Sequence, residues 1–121
     1  MPRLQPQDPA AVAEAIARDD RTKADLKLLT KHFLGVLSEQ APGKSVEVRV
    51  PPYAAAQVVA GVRHTRGTPP AVIELDAPTW IALATGEMTW QQAVDAGRVR
   101  ASGERADLTP YLPLTSRATR P

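Results

Sequence analysis

The sequence has no cysteine and few aromatic rings: one Phe, two Trp and two Tyr, beside two His. Without Cys there is no disulfide, no thiolate zinc cluster and no thiol nucleophile, a pattern that fits a reducing cytoplasm. Charge of one sign is lacking too. Fifteen Lys and Arg against thirteen Asp and Glu leave +2, too weak a field to make nucleic acid an expected partner. Long apolar runs are absent, and the first ten residues, with Arg3, Asp8 and three prolines, are neither a secretory signal nor a span. Stable membrane insertion is therefore not expected, and the expected location is cytoplasmic.

What is present is ordinary globular material. The chain has 121 residues, 43% apolar and 23% charged, and a chain of that size buries roughly two-thirds of the surface its unfolded form exposes. Arg outnumbers Lys eleven to four, which reads as the bias of a GC-rich bacterial genome and carries no function.

Asp8 before Pro9 is a cap followed by a first-turn proline, and Val12, Ala15 and Ile16 keep helical spacing, so a helix is expected over 9–17. Leu26, Leu29, Phe33, Leu37 and Ala41 step by three or four residues along a second helix, capped by Asp20 or Thr22 and stopped by Pro42 and Gly43. Val46, Val48 and Val50 then alternate with Glu47 and Arg49, the period of a half-buried strand. Pro51 and Pro52 end that strand or place it at a sheet edge. The run from Ala54 to Val62 is read as a second strand, although its alanines would also suit a helix.

Val72, Ile73 and Leu75 form a third strand ending at Asp76, which caps a helix over 77–85; Gly86 stands where a left-handed C-terminal cap belongs. Thr89 with Gln92 is a capping-box pattern opening a short helix that carries Trp90, Ala93 and Val94 and ends at Gly97. Residues 98–101 alternate again as a strand. Asp107 opens a last apolar segment, limited by Pro110 and Pro113 to a turn or two. The expectation is one α+β domain over 1–114, with N-terminal helices in 9–41 and strands and helices in 45–114. The polar tail 115–121 is expected to be disordered.

The second half resembles the sterol carrier protein type 2 family, in its short bacterial branch. The resemblance rests on Asp76 closing a strand, a helix ending in Ala84-Thr85-Gly86, a short helix ending in Ala96-Gly97, and a strand Arg-Val-Arg-Ala-Ser-Gly over 98–103 leading into an apolar segment. It implies a curved, mixed or antiparallel sheet covered on one face by helices, with an apolar tunnel between the layers for lipids, fatty acyl chains or sterols. Four strands are legible where that family has five, so the expected sheet has four to five strands, the fifth either short and near His64 to Gly67 or absent, and Pro110 and Pro113 cut a segment that in the family is an uninterrupted helix. The small domain of mycothiol-dependent isomerases is similar, but the third His of their metal site is missing.

The candidate lining of such a tunnel is Phe33, Trp80, Leu83, Met88, Trp90, Val94, Val99, Leu108, Tyr111 and Leu112; the plainer reading of the same set is a packed core. Arg63, His64 and Arg66 cluster in a loop with turn-forming neighbours, where two guanidiniums and an imidazole would suit an anionic headgroup. A solvated loop is the alternative. His32 reads as a surface or boundary residue rather than a metal ligand. Arg98, Arg100 and Arg105 read as a wet strand face, and the carboxylate pairs Asp19/Asp20 and Glu104/Asp107 as caps and turns. Ser38, Ser45, Ser102 and Ser116 stand in no nucleophile motif. The expected function is non-catalytic binding or transfer of an apolar small molecule, with no cofactor and no metal. The alternative is an accessory domain that docks a protein partner.

Overall fold

A computed structural model of the chain describes residues 4–61, 71–103 and 106–115. Among these residues four helices and four strands follow one another as α1 (Pro9–Ala17), α2 (Lys23–Gln40), β1 (Val46–Val50), β2 (Ala54–Val58), β3 (Ala71–Leu75), α3 (Ala77–Thr85), α4 (Trp90–Asp95) and β4 (Val99–Ser102), before a turn of 3-10 helix at Thr109–Tyr111. This is an α+β fold with a mixed, open sheet.

Each helix start has a side-chain cap that satisfies an otherwise orphaned N–H. Asp8 accepts from the Ala11 N–H at 3.0 Å and Asp76 from the Thr79 N–H at 2.8 Å, each with a proline in the first turn. Thr22, not Asp20, caps α2, and Asp25 returns the bond in a reciprocal box. Thr89 and Gln92 form a second such box at α4. Gly86 ends α3 at φ 84, a left-handed conformation that a Cβ disfavours.

The strand order is β2-β1-β3-β4, antiparallel at both edges and parallel between β1 and β3. β1 is therefore central, and Pro51 and Pro52 terminate it rather than mark an edge. They lead into a turn closed by the Tyr53 N–H on the Val50 carbonyl at 2.9 Å. The alanine-rich run is a strand but stops at Val58. Val59 takes φ 65, and its N–H turns away from the sheet to the Ala41 carbonyl at 2.7 Å.

The pleat sorts the two faces. Val46, Val48, Val50, Val58, Ala71, Ile73 and Leu75 are buried on the inner face, where α2 packs against β2 and carries α1 and α3 against itself. From Phe33 to Ser38 every residue of α2 is buried, so that stretch is a central helix with no wet side. Pro110 and Pro113 do limit the last segment to a single 3-10 turn. The segment nevertheless returns to the core: Leu108 and Leu114 are fully buried, and the Leu114 N–H donates to the Ala84 carbonyl at 2.8 Å.

Candidate functional site

Most of the apolar set singled out from the sequence lies in one continuous interior. Phe33 from α2, Trp80 and Leu83 from α3, Trp90 from α4 and Leu108 are buried in the same core cluster. Met88, Val99, Tyr111 and Leu112 are half-buried and pack against it. They come from the α3–α4 turn, β4 and the C-terminal segment, and are four of the partly buried apolar side chains that flank the core. Val94 stands apart, 43% exposed on α4.

Among the described residues, two buried hydroxyls have no hydrogen-bond partner. They belong to Thr30 on α2 and Thr79 on α3, both fully buried. The indole N–H of Trp80, the residue after Thr79 on α3, donates to the Thr30 carbonyl at 3.3 Å where α2 and α3 pack together. By contrast, the Ser38 hydroxyl donates to Leu34 O at 2.9 Å and the Ser45 hydroxyl to Val59 O at 2.6 Å.

The other side of the sheet is polar. The registers set Ala55, Arg49, Glu74 and Arg100 in one row across all four strands. Glu47 binds the Arg49 side chain within β1; that bond, with Glu74 further off, holds the Arg49 guanidinium above its ordinary pKa. Two shallow depressions of about 250 and 270 Å³ open on this side and share Glu74 and Arg100. The first also touches Pro51, Asp76 and Arg98, the second Val72 and Ser102. None of the candidate tunnel residues lines either one. Arg100 is thus on the wet face, as alternation implied.

Among the described residues, the other displaced ionisable groups are Asp25 and His32, and each has a structural partner. The Thr22 main-chain N–H, with the Thr22 hydroxyl and Arg18 adding to it, holds the Asp25 carboxyl below its ordinary value against the opposing effect of burial. Burial holds His32 below its ordinary value. Its Nδ1 accepts from the Gln7 N–H at 2.9 Å, so it is the boundary residue that its position in α2 suggested. Among the described residues no three of His, Asp and Glu group as a metal site, and no helix is long and apolar enough to cross a membrane.

Arg63, His64 and Arg66, like Glu104 and Arg105, lie outside the described residues. Sequence reasoning missed Thr30, Thr79 and Asp25. The spacing from Thr22 to Asp25 is a readable box signal, whereas the orphaned hydroxyls have none, because only packing decides that two threonines on amphipathic helices point inward.

No curated protein matches the chain. The family model for bacterial orthologs of the sterol carrier protein matches residues 20–114, from the cap region of α2 to the last buried leucine. With a mixed four-stranded sheet carrying its helices on one face and a continuous apolar layer between, the chain belongs to this bacterial, sterol-carrier-like family.

Proposed function

We propose that the protein is a non-catalytic binder or carrier of an apolar small molecule, of lipid, fatty acyl or sterol-like class, taken up between the sheet and its helices. The observation that carries this reading is the family match over residues 20–114, which supports lipid binding or transfer in general. Removing an acyl chain from water supplies roughly 25 cal/mol per Å² of apolar surface. The proposed entry for a chain end is at Met88, Val99, Tyr111 and Leu112, which are half-buried against the core and so can move aside without uncovering it. Arg63, His64 and Arg66 are the groups proposed to choose an anionic headgroup. A non-catalytic role is supported by the partners of Asp25, His32 and Arg49, each of which is engaged in a cap, a chain contact or an ion pair.

The experiment is a titration with a fluorescent fatty-acid probe, joined to native mass spectrometry of protein purified from its own host. Saturable binding and a retained apolar mass are the expected results. One observation favours a second reading, an accessory domain that docks a protein: both depressions lie on the charged outer face of the sheet. Absence of probe binding together with capture of a protein partner, lost in Arg100→Glu, is the result that reading expects.

A further inference from the structure

A buried hydroxyl without a partner is destabilising compared with a methyl group of the same shape, because its lost bonds to water are not replaced. Thr30 and Thr79 both carry this penalty, on two helices that pack together, whereas the other buried polar side chains among the described residues, Asp25 and Ser38, are hydrogen-bonded. Neither is needed for its own helix. Thr79 supplies a main-chain N–H to the Asp76 cap, which any residue would supply, and Thr30 accepts the Trp80 indole through its main-chain carbonyl. Valine would fill both positions at equal volume with no polar atom to satisfy.

We infer that the hydroxyls of Thr30 and Thr79 are the polar recognition point of the apolar interior, hydrogen-bonding the hydroxyl or carbonyl group of a bound ligand at the α2–α3 contact. This rests on the proposed uptake of an apolar molecule and adds its chemistry: an apolar body that carries a neutral hydroxyl or carbonyl oxygen, recognised apart from any anionic headgroup. A threonine hydroxyl donates one bond and accepts two, so the pair can satisfy an alcohol or a carbonyl oxygen and gains nothing from a pure hydrocarbon. The resting protein tolerates two unsatisfied groups that binding then satisfies.

The test uses Thr30→Val, Thr79→Val and the double variant in the full chain, with two readouts. Denaturation midpoints are expected to rise in the variants, because an orphaned hydroxyl is replaced by an isosteric apolar group. Displacement of a fluorescent fatty-acid probe by dodecan-1-ol is expected to weaken about tenfold in the double variant, while displacement by dodecane is unchanged. Equal displacement of the probe from the wild-type and the variants by both competitors overturns this inference and leaves the carrier reading standing. A fall in midpoint shows that the hydroxyls are satisfied in the resting protein, by water for example, and overturns it as well. If the wild-type binds neither the probe nor either competitor, the carrier reading and this inference fail together.

Discussion

The indole N–H of Trp80 on α3 donates to the main-chain carbonyl of Thr30 on α2 at 3.3 Å, inside fully buried surroundings. It joins residues 50 apart in sequence and fastens the two helices that cover the sheet. Trp80→Phe keeps an aromatic ring but leaves that carbonyl without this donor and opens a void, so a loss of about 1–3 kcal/mol in unfolding free energy is expected by denaturant titration. A change within error would mean the bond contributes nothing.

The box at the start of α2 gives a second prediction. Thr22→Ala removes the side-chain acceptor of the Asp25 N–H and should cost about 1 kcal/mol. The same box sets an acid limit. Asp25 is held below 3.8 in the folded chain, so its contribution is complete above that value and is lost as pH falls through the lower folded value. Asp25→Asn should flatten the acid limb of the stability curve. An unchanged limb in that variant would remove Asp25 from the account.

Residues 4–8 lie across α2, and two groups of that helix receive them. A Cβ on Gly35 would fall 2.6 Å from both the Gln5 carbonyl oxygen and the Pro6 nitrogen, so Gly35→Ala must displace the crossing chain, at an expected cost of about 1–3 kcal/mol. Nearby, His32 accepts the Gln7 N–H only when Nδ1 is unprotonated. Burial lowers its folded pKa below 6.5, so the stability linked to it is complete above 6.5 and falls as pH drops through the folded value. The Gln7 amide should lose hydrogen-exchange protection over that window, and His32→Gln should keep it. Protection independent of pH in the wild-type would contradict this.

Local signals made most of the fold legible. Asp8-Pro9, Asp76 and Thr89 with Gln92 announce helix starts because a cap is a contact between near neighbours, and all three are caps in the structure. The Val46/Val48/Val50 alternation announces a half-buried strand in the same way. Which strand is central is set by pairings between distant residues, so Pro51 and Pro52 alone fit either a strand end or a sheet edge, and the pairing of β1 with both β2 and β3 decides for the end. The site was less legible for the same reason. Helical spacing says that Phe33 and Leu83 face inward, but it cannot say whether the interior they share opens for a ligand or that Thr30 and Thr79 face inward with them.

Headgroup choice is testable from the sequence. Charge-assisted hydrogen bonds contribute about 1.5–3 kcal/mol. Arg66→Ala should therefore weaken binding of a fatty acid roughly tenfold or more and leave the alcohol of equal chain length almost unaffected. Equal losses for both would make the loop structural. No loss for either would make it a solvated loop.

The central claim, that an apolar chain enters between the sheet and its helices, is tested most directly by methyl NMR with a fatty acid carrying a nitroxide near its tail. The account predicts selective loss of the methyl signals of Leu83, Val99, Leu108 and Leu112, with Ala55 and Val72 on the outer face retained. Loss confined to Ala55 and Val72, or no selective loss at saturating fatty acid, would contradict it.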